Sequence, residues 1–196
     1  SKWRNERTQG PVEWTLHSDE SMTVKPRTGG IETIEEHGSV QLHIEWKPPT
    51  VIKGEGQGRG NSGILFQRRY EVQVLDSYQN RTYSNGQAGS IYKQYSPLVN
   101  AMHPNGEWQV YDIVFNAPEF NEEGEEVKPG SFIVFHNGVL IQNAVELQGT
   151  TEYIGKPKKG RDVMPGYADD KVNHRTLLLQ DHGDLVSYRN IWMRKL

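Results

Sequence analysis

The chain has 196 residues, a formal net charge of −3 and no cysteine. Acidic and basic residues are interspersed, so no basic patch marks a nucleic-acid or anionic-membrane partner. No apolar run approaches the ~20 residues of a membrane span, and disulfides, cysteine-zinc sites and thiol nucleophiles are excluded. The length suits one all-β domain spanning residues 1–196, and five Trp, nine Tyr and five Phe supply large faces for a core or for stacking on sugars.

Strand signals dominate in chain order. "VQLHIEW" (40–46) alternates Val40, Leu42, Ile44 and Trp46 against Gln41, His43 and Glu45, the pattern of a half-buried strand. "GILFQRRYEVQVL" (63–75) reads as one long strand or two kinked ones. "WQVYDIVF" (108–115), "SFIVFHNGVLIQNAVEL" (131–147), "TLLLQD" (176–181) and "VSYRNIWMRKL" (186–196) follow. Asn137-Gly138 inside the fourth predicts a tight hairpin turn, because both residues tolerate positive φ. Three long stretches rich in Gly, Pro, Asn and Ser lie between these runs, near 47–63, 77–107 and 154–173. Loops of that length on a β domain point to a binding surface. Many short strands with long loops predict an all-β, two-sheet antiparallel sandwich or jelly roll with loops over one face.

Two short motifs carry little. "GRGNSG" (58–63) matches a dinucleotide fingerprint, but a Pro-rich loop precedes it and a strand follows, where that fold needs a strand and then a helix. Its glycines read as a loop beside a cavity. "NRT" (80–82) is a formal glycosylation triplet with nothing in support.

Parity is more informative. Glu71 and Gln73 share one strand face, with Val72 and Val74 on the other. Gln180 and His182 are paired in the same way in "LLLQDHG", and His43 and Glu45 form a third pair. Together they suggest one polar sheet face for a hydroxylated ligand, while a solvated surface explains any single pair. Glu71-x-Gln73-x-x-Asp76 also resembles the E-x-D-x-x-E strand of family 16 glycoside hydrolases. Here Gln73 replaces the middle Asp, Asp76 replaces the last Glu, and a bulge is needed to turn Asp76 to the same face. A retaining pair stands ~5–5.5 Å apart, which these substitutions oppose.

The strings "GNSGILFQRRYEVQVLDSY", "GQAGSIYKQYSPLVN", "GEWQVYDIVFNAPEF", "VFHNGVLIQNAVEL", "LLLQDHG" and "VSYRNIWMRKL" together resemble the 3-keto-disaccharide hydrolase domain family, in order from about residue 11 to 196. The resemblance implies a concanavalin A-like (laminin-G-like) jelly roll and an oligosaccharide or glycoside substrate. It also implies a ketone at sugar C3, introduced by a separate oxidoreductase acting upstream. A C3 ketone acidifies the C2 proton, so a base forms an enediolate and the C1 oxygen leaves by β-elimination, with water adding afterwards. Such chemistry needs a base, an oxyanion stabiliser and an acid, and no nucleophile.

The expected cast follows from residue type. His182 is the favoured base, since histidine titrates near ~6.5, and Glu71 is the second candidate if burial raises its pKa. Arg68 is expected to hold the enolate oxygen, with a divalent metal on Glu/His ligands as the other means; no cofactor is otherwise implied. Asp76 completes the catalytic candidates or caps a turn. Gln73, Gln180, His43 and Glu45 are expected to bind sugar hydroxyls, with Tyr92 and Tyr95 stacking on the ring. Trp108 stacks or begins a core strand, and Arg69 faces solvent or a loop. The alternatives left open are a carbohydrate-binding module without catalysis, a two-carboxylate β-glucan hydrolase, and a purely structural domain. The expected location, from the family's habit, is outside the bacterial cytoplasm.

Overall fold

The structure, a computed structural model, describes residues 2–167 and 175–196. Its strands are β1 (Trp3–Asn5), β2 (Thr15–Leu16), β3 (Met22–Thr23), β4 (Ile31–Thr33), β5 (Val40–Lys47), β6 (Ser62–Phe66), β7 (Tyr70–Val74), β8 (Gln109–Asn116), β9 (Glu119–Phe120), β10 (Glu126–Lys128), β11 (Ser131–His136), β12 (Val139–Glu146), β13 (Leu178–Leu179) and β14 (Ser187–Lys195). Antiparallel pairing builds a five-stranded sheet, β1-β4-β13-β6-β7, and a seven-stranded sheet, β12-β11-β8-β5-β14-β3-β2. The two form the jelly-roll sandwich that the pattern predicts, with β9 and β10 as a separate ribbon.

Alternation decides which side of each strand meets the core. Val40, Leu42, Ile44 and Trp46 of β5 are fully buried, while Gln41, His43 and Glu45 are only half-covered. Phe66 of β6, Phe115 of β8 and Phe132 of β11 join the sheets, their ring centroids 5.0–5.1 Å apart. Cross-sheet bonds fix the stacking: Tyr188 donates to Ser62 Oγ at 2.7 Å and Tyr111 to the Gln73 carbonyl at 2.9 Å.

Strands β6 and β7 are buried on both faces. Their inner face meets the core through Ile64, Phe66, Val72 and Val74, and long loops cover the outer face. These strands form a hairpin, not one long strand. The turn runs through Gln67 and Arg68, both at positive φ (51° and 57°). Gln-Arg carries no turn signal, so tertiary contacts hold it. Gln67 Nε2 donates to the His37 carbonyl at 2.9 Å, Arg68 pairs with the buried Glu32, and Arg69 Nε donates to the Val163 carbonyl at 3.0 Å. Asn137 (φ 51°) and Gly138 (φ 78°) form the expected turn between β11 and β12.

Glu32 on β4 is completely buried. Although burial pushes its carboxyl up, hydrogen bonds from Thr176 and Gln9 and the charge of Arg68 hold it below the usual range. Arg68→Met is therefore expected to lower the unfolding free energy by about 3–5 kcal/mol, since it strips a charge from a buried carboxylate. Urea unfolding of the two proteins measures this, and matching midpoints would contradict the assignment.

Candidate active site

A cavity of about 530 Å³ lies on the outer face of the five-stranded sheet. Glu71 and Gln73 of β7 form its floor, with Gln180 and His182 just beyond β13. Gln57 and Asn61 come from the loop before β6, Tyr83 and Tyr92 from the loop after β7, and Tyr153 and Tyr167 from the segment after β12. The 89–92 segment runs along the free edge of β7: Gly89 donates to the Gln73 carbonyl at 2.9 Å, Gln73 to the Ser90 carbonyl at 3.0 Å, and Tyr92 to the Glu71 carbonyl at 3.0 Å. Further along, Thr151 N–H bonds the Arg69 carbonyl at 2.8 Å. Backbone pairing thus satisfies the edge and carries Tyr92 and Tyr153 to the walls.

Glu71 is 4% exposed. Its side chain lies across the neighbouring strand, where a Cβ on Gly63 would stand 2.5 Å from Glu71 Oε1. A bare backbone at 63 is what lets the carboxyl lie flat. Burial pushes the Glu71 carboxyl up to about 8, opposed by a hydrogen bond from the Tyr167 hydroxyl at 3.2 Å. At neutral pH it is therefore mostly protonated.

Its neighbour agrees with that state. Gln57 Nε2 donates to the Gly86 carbonyl at 2.8 Å and to Thr82 Oγ1 at 3.1 Å, which leaves Gln57 Oε1 to accept from Gln73 Nε2 at 3.0 Å. The Gln73 oxygen then faces two acceptors, Glu71 Oε1 and the Ser62 carbonyl, at 3.1 Å each. A neutral Glu71 supplies a proton to the first of these contacts. Turning the amide over would let its nitrogen donate to Glu71 Oε1 and the Ser62 carbonyl at 3.1 Å each, but would set its oxygen against Gln57 Oε1 at 3.0 Å.

The walls are aromatic. Tyr83 and Tyr92 share a hydroxyl–hydroxyl bond of 2.6 Å, and burial raises both phenols, so they stay protonated. Lys93 Nζ sits 3.8 Å from the Tyr83 ring centroid and 5.4 Å from that of Tyr153, a cation held against the tyrosine wall.

The structure gathers Glu71, Gln73, Gln180, His182 and Tyr92 around one cavity and places the other candidates elsewhere. Arg68 leaves the sheet at the hairpin turn and pairs with Glu32. Asp76 lies past the end of β7, where Arg59 Nε at 2.8 Å and Asn105 Nδ2 at 2.6 Å bind it and its Oδ1 accepts from Tyr78 N–H at 3.3 Å. No bulge turns it toward Glu71; it caps a turn. His43 and Glu45 belong to the other sheet and point outward. There His43 bonds Asp112 at 2.7 Å and stacks on Trp192, while Glu45 pairs with Arg189 at 2.6 Å. The expectation of a single face bearing all three polar pairs is thus corrected. Tyr95 packs against the core, and Trp108 lies between Lys47 and Arg189. Arg69 is buried against the 161–163 loop, not exposed. β13 ends at Leu179, so His182 reaches the cavity on a loop and is exposed at its rim.

Gln57, Asn61, Tyr83, Tyr153 and Tyr167 were not among the sequence candidates. Four of them lie in the three long loops that were legible as a binding surface and Tyr153 immediately precedes the third, but nothing in the composition fixes which side chains turn inward. Among the described residues, no three His, Asp or Glu side chains converge as a metal-ligating group. Among the described residues lining the cavity, Glu71 and His182 are the two of that kind.

The sequence profile of a family described as the 3-keto-alpha-glucoside-1,2-lyase-like domain matches residues 1–194. A solved structure titled "putative glycosyl hydrolase", from Parabacteroides distasonis ATCC 8503, is 46% identical to this chain with a TM-score of 0.91. The match covers 100% of this chain and 79% of that one. A second structure with the same description from that organism shares 20% identity at a TM-score of 0.65, covering 100% of this chain and 88% of the other, and so speaks for the fold. No functionally curated protein matches the chain.

The raised Glu71 carboxyl has a consequence for stability. Its folded value, about 8, lies above the ordinary 4.5, so the fold favours the protonated form. That advantage is complete below pH ~4.5 and is lost as pH rises through about 8. Glu71→Gln is expected to melt close to wild type at pH 4 and roughly 5–10 °C higher at pH 9. Calorimetry at the two pH values checks this, and parallel wild-type and variant curves would contradict a buried neutral carboxyl.

Proposed function

Because the chain belongs to the 3-keto-alpha-glucoside-1,2-lyase-like domain family, we propose that this carbohydrate-active enzyme cleaves glycosides whose sugar carries a ketone at C3, by elimination across C1 and C2. The observation that carries the reading is the buried Glu71 carboxyl in one cavity with the exposed imidazole of His182.

His182 removes the proton from C2, and the electron pair passes into the C2–C3 bond and the C3 oxygen as an enediolate. That pair then returns to form the C1–C2 double bond, and the C1–O bond breaks toward the leaving group. Glu71 gives its proton to the departing oxygen. His182 ends protonated, Glu71 ionised, and the products are an alcohol and a 1,2-unsaturated 3-keto sugar, to which water then adds. Gln180 and Asn61 bind sugar hydroxyls and the enediolate oxygen, and the Tyr92 and Tyr153 rings flank the sugar. An oxidoreductase supplying the ketone precedes this enzyme, and the reading places both outside the bacterial cytoplasm.

A two-carboxylate hydrolase would need a second carboxylate ~5–5.5 Å from Glu71. Among the described residues lining the cavity, Glu71 is the only one, and Asp76 is tied to Arg59.

Incubation with a 3-keto-glucoside and its unoxidised counterpart, with and without chelator, tests the reading through aglycone release. Release from the keto compound alone is expected. Release from only the unoxidised glucoside would overturn the mechanism, and loss with chelator would add a divalent cation as the holder of the enediolate oxygen. Glu71→Gln and His182→Ala should each lower kcat/KM by about 10²–10⁴. The pH profile separates the two roles of Glu71. As the acid it makes kcat/KM fall as pH rises through about 8, whereas as the base it would make kcat/KM rise there.

A further inference from the structure

The Glu71 carboxyl is held from the loop side as well as from the sheet. The Tyr167 hydroxyl donates to Glu71 Oε2 at 3.2 Å, while Oε1 faces Gln73. Among the bonds described, this is the one that the carboxyl accepts. The other titratable groups lining the cavity, Tyr83, Tyr92, Tyr153 and His182, make none to it.

Tyr167 is itself placed by a second buried carboxyl. The preceding residue, Gly166, donates its N–H to Glu152 Oε2 at 2.7 Å. Glu152 is 4% exposed. Its Oε1 accepts from the Thr150 hydroxyl at 2.8 Å and lies 3.4 Å from Lys158 Nζ. Burying a carboxylate is costly unless its oxygens are bonded, and here one of those bonds goes to the main chain directly before Tyr167. Gly166 permits the approach, because a Cβ there would stand 2.8 Å from Glu152 Oε2. The segment carrying Glu152 is clamped to β7 on both sides of the bond to Arg69: Thr151 N–H donates to the Arg69 carbonyl at 2.8 Å, and Glu71 N–H donates to Thr151 Oγ1 at 2.9 Å. A circuit of bonds thus leaves the Glu71 backbone, passes through Thr151, Glu152, Gly166 and Tyr167, and returns to the Glu71 carboxyl. A hollow of about 280 Å³ adjoins Glu152, Gly166 and Tyr167. Close packing therefore does not surround the tyrosine, and the circuit is what holds it.

We infer that Tyr167 and Glu152 are positioning residues for Glu71: the Tyr167 hydroxyl fixes the carboxyl, and Glu152, through the Gly166 N–H, fixes Tyr167. The inference deepens the elimination reading and rests on it for the role of Glu71 as the acid. A hydroxyl that donates to a carboxyl favours its ionised form. Tyr167 therefore stabilises the carboxylate left when the proton passes to the departing oxygen. A bonded support of this kind holds a reacting group in place better than a loop alone.

Infrared titration of Glu71, with each protein taken against its own Glu71→Gln counterpart, reads the placement without substrate. Tyr167→Phe is expected to move the midpoint from about 8 to about 9, the loss of one hydrogen bond to the charged form. Two changes at position 152 separate reach from charge. Glu152→Asp keeps the charge but is one methylene shorter, so it should raise the midpoint toward the Tyr167→Phe value. Glu152→Gln keeps an oxygen for the Gly166 N–H and loses the charge. Its midpoint should stay at or below the wild-type value, since removing a nearby negative charge eases ionisation. Glu152→Asp combined with Tyr167→Phe should titrate like Tyr167→Phe alone. An unmoved midpoint in Tyr167→Phe, equal rises in Glu152→Asp and Glu152→Gln, or additive shifts in the double variant would overturn the inference. On a 3-keto-glucoside, the fall of kcat/KM at high pH should follow the same midpoints, with kcat about tenfold lower in Tyr167→Phe. If the keto compound is not turned over, the elimination reading fails, and the titrations still decide the positioning.

Discussion

Glu71 lies flat over Gly63, in a contact that leaves no room for a β-carbon, and most of the site follows from that placement. A carboxyl on the outer face of a sheet would ordinarily stand in water and ionise near 4.5. Here the neighbouring strand offers bare backbone, so the side chain folds down against the sheet and the loops close above it. Desolvation then raises the proton affinity, and the Gln73 amide, fixed by Gln57, offers an oxygen to the neutral form. The arrangement costs stability above neutral pH, as a site built for proton transfer commonly does.

The loops hold this environment without regular structure of their own. The 89–92 segment and Thr151 pair with the edge of β7, so the walls are anchored by main-chain bonds directly beside the carboxyl they cover. At the far end of the sheet a second buried carboxylate, Glu32, is treated in the opposite way. Arginines, the Thr176 hydroxyl and the Gln9 amide keep it charged, whereas Glu71 has no cation beside its carboxyl among the bonds described and carries a proton instead. Two glutamates on one sheet thus take opposite charge states from their neighbours alone.

The sandwich, most strand positions and the Asn137-Gly138 turn were legible from alternation and turn chemistry. So was the outward pairing of Glu71 with Gln73, because period-two parity holds wherever a strand is regular. What failed were inferences that crossed strands. His43 and Glu45 show the same parity as Glu71 and Gln73 but lie on the other sheet, and a local pattern carries no record of which sheet a strand joins. The Gln67-Arg68 turn was hidden because neither residue favours positive φ. Its geometry comes from His37 and Glu32, which are distant in sequence, and the turn carries Arg68 away from the cavity. Tyr83, Tyr153 and Tyr167 were missed for a related reason: irregular loops have no period, so tyrosines that turn inward read like those that do not.

The central claim is that Glu71 holds a proton at neutral pH, and infrared difference spectroscopy of the wild type against Glu71→Gln reads it directly. The account predicts a protonated-carboxyl band specific to Glu71 at pH 6 that disappears with a midpoint near pH 8. A Glu71 carboxylate already ionised at pH 6 would contradict it.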